Sequence, residues 1–338
     1  MNKLYKLLFF TMLIIGSLIT ISSYSWLGMW MGLEINLLSI IPLMSSTKNS
    51  LQSEAAMKYF ITQSIASMIL LFSIIVIMAN DIMINSLMLP NQMLIMNSAI
   101  LMKMGAAPFH FWFPEIIEGL SWMNSFILMT WQKIAPMVIL MNSMKTTFLI
   151  TMVIIFSMVI SGVMGINQTS IRKILAYSSI NHVGWMISSL LVWQSIWFIY
   201  ISIYSLISLN MALILKTLNI FHLNQLINSM NSNKPLKMIF IMNFLSLGGI
   251  PPFIGFLPKW LTINFLISEK MLFLSMIMII FTLLTIFFYM RITFTTMVIW
   301  TQETSKKINF NYKINSIMIL NLLTLSSLLL CTILFNFS

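Results

Sequence analysis

Three lysines, Lys103, Lys133 and Lys259, and one glutamate, Glu34, stand near the middle of apolar stretches long enough to cross a bilayer. Amines and carboxylates take up and release protons. A bare charge at the bilayer centre costs from roughly 2.5 to more than 10 kcal/mol, according to how far water and neighbouring groups relieve it. Residues kept there at such cost are expected to act on ions. Low dielectric disfavours a charged amine and an approaching carboxylate restores it, so a Glu and a Lys on neighbouring helices can load and release a proton. Glu34 follows Trp26, Trp30 and Gly32 with no lysine within a turn, which makes Glu34 and Lys103, paired across helices, the economical choice. The rival reading is a buried ion pair that merely fixes helix packing. Two further lysines without carboxylates argue against it.

Lys133 lies in Trp131-Gln132-Lys133-Ile134-Ala135-Pro136, with Pro136 placed to open the helix beside it, and Lys259 lies in Phe256-Leu257-Pro258-Lys259-Trp260. Lysines with hydroxyls and histidines between them would form a water-linked chain of protonatable stations running along the membrane midplane. His182, in Ser178-Ser179-Ile180-Asn181-His182, is the relay candidate between Lys133 and Lys259, set against a plain packing histidine. His110, in Ala107-Pro108-Phe109-His110, ranks below it. His222 lies at a helix end, and the three histidines are too dispersed for a metal site. Lys216 is close enough to a loop to snorkel, and Arg291 is a candidate for a lipid head group. Glu115 and Glu118 flank a loop after Pro114, as caps, a proton entrance or simply solvated side chains. The single cysteine, Cys331, rules out thiol redox chemistry and a disulfide frame. No phosphate loop, dinucleotide fingerprint or haem ligand pair is present.

The elements that must position these residues are set by composition. The chain has 338 residues, 59% hydrophobic and 7% charged, against about 25% charged in soluble proteins. That is an all-α polytopic membrane protein, read as one transmembrane domain over 1–338. The net charge of +11 comes from single or paired basic residues between apolar runs, so it signals topology rather than nucleic acid. The first segment reads as a retained helix and not a signal peptide. Heavy use of Met, Ile, Asn, Ser and Phe suggests A+T-rich coding and an organelle genome.

Taking about 20 residues per crossing, eleven spans are expected: Leu4 to Ile21, Trp26 to Met44, Tyr59 to Met78, Gln92 to Phe113, Trp122 to Met141, Phe148 to Ile166, Ile174 to Leu191, Ser195 to Phe221, Met238 to Ile267, Leu272 to Ile299 and Ile314 to Phe335. Asn224 to Lys237 and Thr301 to Lys313 read as loops. One side of the membrane then receives Lys3, Lys6, Lys48, Lys58, Arg172, Lys173, Lys234, Lys237, Lys306, Lys307 and Lys313, and the other only Lys145 and Lys270. The positive-inside rule puts the N-terminus on the basic side and the C-terminus opposite.

The fourth span holds Gly105 and Pro108 beside Lys103; the ninth holds Gly248, Gly249, Pro251 and Pro252 before Lys259. Five helices separate their starts, so the two enter from opposite sides. Helices 4–8 and helices 9–10 onward then read as the halves of an inverted repeat, each with a broken helix. Broken helices are tolerated in lipid only where neighbours or internal water re-satisfy the backbone.

The run Leu101-Met102-Lys103-Met104-Gly105-Ala106-Ala107-Pro108-Phe109-His110-Phe111-Trp112-Phe113-Pro114-Glu115, the run Trp131 to Pro136, the run Ser246 to Trp260 and Trp30-Met31-Gly32-Leu33-Glu34-Ile35-Asn36 closely resemble the NADH dehydrogenase subunit 2 family, antiporter-like membrane subunits of mitochondrial respiratory complex I, in its short animal form. The resemblance spans essentially the whole chain. It implies the family's fourteen-helix fold with the first three helices missing, and the N-terminus in the matrix of the mitochondrion. It implies proton translocation across the inner membrane, with Glu34 and Lys103 as the coupled pair, Lys133 as central relay and Lys259 near the exit branch. It also implies no cofactor on this chain, since NADH, FMN, iron-sulfur clusters and ubiquinone would be bound by other subunits. The implied partners are neighbouring antiporter-like subunits and membrane phospholipids, cardiolipin among them. The alternatives are a Mrp-type cation/proton antiporter subunit and a structural subunit needed only for assembly.

Overall fold

The computed structural model describes residues 4–46, 49–82, 89–144, 147–230, 234–298 and Asn321. The expected eleventh span apart from Asn321, the loop Thr301 to Lys313, Cys331 and the basic residues Lys3, Lys48, Lys145, Lys306, Lys307 and Lys313 lie outside the described residues. Among the described residues there is no strand, only an isolated backbone bridge between Ser170 and His222.

Two compact units divide the chain, Met1–Ser157 and Met158–Ser338. The first contains α1 (Leu4–Ser22), α2 (Trp26–Met44), α3 (Ser50–Ile82), α4 (Leu89–Met104), α5 (Trp112–Gly119), α6 (Trp122–Met129) and α7 (Trp131–Asn142). The boundary falls within α8 (Thr147–Ile166). The second unit continues with α9 (Ile171–Val192), α10 (Gln194–Leu218), α11 (Leu223–Met230), α12 (Lys234–Gly248), α13 (Phe256–Ser268) and α14 (Leu272–Val298).

Six of these, α1, α2, α3, α8, α10 and α14, are each long and apolar enough to cross a membrane alone. The others differ for two physical reasons. The fourth, fifth and ninth expected spans are each split into two shorter helices. Helix α9 carries Ser178, Ser179, Asn181, His182, Ser188 and Ser189 and is buried on every side from Ile174 to Leu190. A helix enclosed all round has no face for lipid, so it can hold polar groups that bond inward.

In the first unit α1 lies against α2 at a seam of small residues. A Cβ added at Gly32 would stand 2.5 Å from Thr20 Cγ2 and 2.9 Å from the Gly16 carbonyl oxygen. Close backbone approach of this kind replaces the hydrophobic drive that helices lack in lipid. Helix α7 packs against α1, α2, α4 and α6, and α3 against α2, α4 and α5. In the second unit α9 and α12 each pack against α10 and α14, and α13 against α9, α10 and α14, or in the case of α12 also against α11.

Four local expectations are corrected. The fifth span is not one helix: it breaks at Thr130 (φ −116, ψ −70), where the Thr130 hydroxyl bonds the Phe126 carbonyl and the Lys133 amide reaches back only three residues, to Thr130. Pro136 sits inside α7 without ending it. Glu115 and Glu118 lie in the short helix α5, which continues past Pro114 as far as Gly119, so the loop begins only at Leu120. Part of the polar stretch Asn224 to Lys237 folds as α11, because Leu223, Leu226 and Met230 share one face and bury Leu226 and Met230.

Candidate functional site: buried lysines at broken helices

Helices α4 and α12 end in the same way. Each is followed by a glycine in the left-handed region, Gly105 at φ +70 and Gly249 at φ +77, where a side chain would be strained. The Gly105 and Ala106 amides donate back to Met102 and Leu101, and the Gly249 and Ile250 amides to Ser246 and Leu245. These paired bonds are a Schellman cap, which satisfies two of the last four carbonyls of each helix and leaves the final ones to side chains.

Different side chains take them. At α4, Gln63 Nε2 donates to the Lys103 carbonyl at 3.4 Å, and Trp112 Nε1 adds a bond to the Met102 carbonyl at 3.2 Å. At α12, the Lys259 ammonium donates to the Gly248 carbonyl at 2.7 Å and to the Leu247 carbonyl at 3.3 Å. The aliphatic stem of Lys259 runs over Gly249, where an added Cβ would stand 2.7 Å from Cδ.

Among the described residues, the buried members of the Lys, Arg, Asp and Glu classes are Lys103, Lys133 and Lys259, with 7%, 2% and 6% exposure. Every one lies within about a turn of a helix interruption. Lys103 is in the last turn of α4, and Lys259 reaches back to the last turn of α12, so both cations face the negative end of a half-helix dipole. That field favours the charged form of a lysine at each of the two breaks. Lys133 occupies the first turn of α7, the positive end of its helix, with its ammonium 5.0 Å from the centre of the Phe113 ring.

Glu34 is half-buried in α2. Its Oε2 is enclosed without a hydrogen-bond partner among the described residues, while its charge acts on Lys103. Glu34 and Lys103 are thus brought into electrostatic range, with Oε2 unbonded. Two residues along α2, Asn36 Oδ1 accepts from Gln132 Nε2 at 2.9 Å, and Gln132 Oε1 accepts from the Tyr59 hydroxyl at 3.4 Å. The amide next to Lys133 therefore ties α7 to α2 and α3.

In the second unit His182 Nδ1 is 2.9 Å from the Tyr200 hydroxyl, and its ring packs on Tyr204 with centroids 4.8 Å apart. Asn181 Nδ2 donates to Thr285 Oγ1 at 3.3 Å, and the Lys259 ammonium lies 5.8 Å from the Trp185 ring centre. His110 is also buried; its Nδ1 lies 3.2 Å from the Pro108 carbonyl, which only accepts, so that nitrogen carries the proton.

Sequence reasoning missed Tyr200, Tyr204, Gln63, Gln132 and Asn36. The two tyrosines are four apart on α10, so they share a face, and that spacing was the available signal. Among the described side chains the remaining charges are half-buried or exposed. Lys58 bridges Glu54 at 3.0 Å and Glu115 at 3.2 Å in solvent. Lys216 is exposed in the last turn of α10. Arg291 donates to the Ile166 carbonyl at the end of α8. No group of three His, Cys, Asp or Glu side chains suited to a metal occurs among the described residues.

The family profile described as "NADH:quinone oxidoreductase/Mrp antiporter, TM" matches residues 23–285. A relative from Anopheles gambiae, named NADH-ubiquinone oxidoreductase chain 2, is 48% identical over 344 aligned residues, covering 99% of each chain. The fold is similar to a chain of respiratory complex I from Thermus thermophilus, with TM-score 0.87, 20% identity and coverage of 98% of this chain and 79% of that one. It is also similar to a chain of a Mrp complex from a Dietzia species, with TM-score 0.79, 14% identity and coverage of 96% and 74%.

Proposed function

This chain belongs to the NADH:quinone oxidoreductase/Mrp antiporter family of transmembrane proteins, and from that membership we propose that it is the proton-translocating subunit 2 of a mitochondrial NADH:ubiquinone oxidoreductase. The observation that carries the reading is the three buried lysines, each at a helix interruption, in a chain 48% identical over its length to a NADH-ubiquinone oxidoreductase chain 2. Glu34 and Lys103 act as the coupled pair, Lys133 as the central station and Lys259 as the station toward the exit, with His182, and less centrally His110, as relay groups. Redox chemistry and its cofactors, NADH, FMN, iron-sulfur clusters and ubiquinone, belong to other subunits of the complex.

Eleven crossings follow if α4 with α5, α6 with α7, and α12 with α13 each make one, α9 another, and Ile314 to Phe335 the last. The N-terminus then faces the matrix and the C-terminus the intermembrane space of a multi-pass inner-membrane protein. The matching caps of α4 and α12 support an inverted repeat in one translocating domain. Partners are other membrane subunits of the complex, antiporter-like ones included, and phospholipids such as cardiolipin. A Mrp-type cation/proton antiporter is the second reading, favoured by the likeness to the Mrp chain.

The test is NADH oxidation and proton pumping in membranes carrying Lys103→Met, with assembly checked on the same sample. An assembled complex with both activities strongly depressed is expected. Normal pumping would reduce Lys103 to a packing residue, and sodium-dependent transport by the isolated chain would favour the antiporter.

A further inference from the structure

The imidazole of His182 is held by one face of α10. Tyr200 meets its Nδ1 at 2.9 Å, and Tyr204, one turn on, lies against the ring at a 40° tilt. His182, Tyr200 and Tyr204 are all buried, at 5%, 1% and 4% exposure. A packing histidine in such a place needs only shape and one fixed bond. What stands here is a hydroxyl, which donates and accepts through the same atom.

That property matters for a group that changes protonation. A neutral imidazole accepting at Nδ1 carries its proton on Nε2; an imidazolium donates from Nδ1. A carbonyl partner supports only a protonated Nδ1 and an ammonium only a bare one. The Tyr200 hydroxyl rotates its hydrogen and bonds the ring in both states, so the ring keeps one position while its charge changes. We propose that Tyr200 is a positioning residue for proton translocation, holding His182 in one orientation through both of its protonation states, with Tyr204 as the wall that fixes the ring plane. This deepens the proposed function and rests on it.

Other ionisable groups around this cluster are Tyr204 on α10, Tyr289 on α14 and Lys259 on α13, whose ammonium sits over Trp185 of the same helix as His182. A change in pH profile on altering Tyr200 must therefore be compared with the profile on altering His182 itself.

The experiment uses the assembled complex in sealed membrane vesicles. Tyr200→Phe, His182→Gln, the double variant and Lys259→Met are compared for NADH oxidation, protons moved per electron and the pH profile across the neutral range. The glutamine amide can still bond Tyr200 but does not titrate. Expected is a several-fold fall in protons per electron for Tyr200→Phe, a pH profile altered in the same sense as in His182→Gln, and a double variant no worse than His182→Gln alone. Wild-type pumping by Tyr200→Phe, wild-type pumping by His182→Gln, or losses that multiply in the double variant would overturn the proposal. Should Tyr200→Phe not assemble, His182→Gln still decides, because normal pumping there leaves Tyr200 nothing to position. Lys259→Met separates the two levels: if it pumps normally the proposed function itself fails, whereas its failure beside a normal Tyr200→Phe sinks this inference alone.

Discussion

The ammonium of Lys259 is bonded to the carbonyl of Gly248, at 2.7 Å, across the interruption between α12 and α13. A charge carried by one half-helix thus caps the other. The contact explains how Lys259, which has no carboxylate partner among the described residues, is accommodated in an apolar setting where isolated charge is costly. It also couples any change in Lys259 protonation to the end of α12.

Lys259→Arg separates charge from proton release. A guanidinium keeps its proton at any physiological pH and can still bond the Gly248 and Leu247 carbonyls. The complex is expected to assemble with proton pumping lost, measured as protons per electron in vesicles. Pumping at the normal rate would show that Lys259 supplies charge only.

Gly249→Ala places a Cβ at φ +77, which costs about 1–2 kcal/mol for an L-residue in the left-handed region. The same Cβ would stand 2.7 Å from Lys259 Cδ, so the lysine must move off its carbonyls. The thermal stability of the assembled complex should fall, and pumping should fall further than for an alanine placed on a lipid-facing position of α12.

Gly32→Val should block assembly. The new side chain would meet Thr20 and the Gly16 carbonyl on α1, both fixed in helix backbone contact, and α2 would be levered away with Glu34. The amount of assembled complex on a native gel is the readout; a normal amount would mean that α1 and α2 can separate without consequence.

Gln132→Leu keeps the volume of the side chain and removes its amide. Asn36 Oδ1 and the Tyr59 hydroxyl lose their partner in a buried setting, a penalty of about 1–3 kcal/mol. A lowered unfolding temperature is expected, together with reduced pumping, because the turn bearing Lys133 is no longer tied to α2.

Much of this was legible along the chain. The ends of α2 at Trp26 and Met44 and of α14 near Leu272 follow from where apolar runs stop, since hydropathy is a local quantity. Gly105 and Gly249 marked the helix breaks because only their conformation, set by the missing Cβ, allows that cap. The break at Thr130 was hidden because threonine is an ordinary helix residue in composition, and its hydroxyl bond to Phe126 shows only in three dimensions.

The sequence by itself determined that charges sit inside apolar stretches of membrane length, which charges they are, and that two of these stretches are interrupted, at Gly105 and at Gly249. Those are consequences of desolvation and backbone geometry, which act on each residue regardless of what lies across from it. Only the tertiary structure decided that Lys259 bonds Gly248, that Gln132 bonds Asn36, that His182 meets Tyr200, and that Glu34 Oε2 is left without a hydrogen bond among the described residues. A hydrogen bond needs two groups within about 3 Å of each other, and residues such as Asn36 and Gln132, far apart in sequence, reach that distance only when the helices have packed.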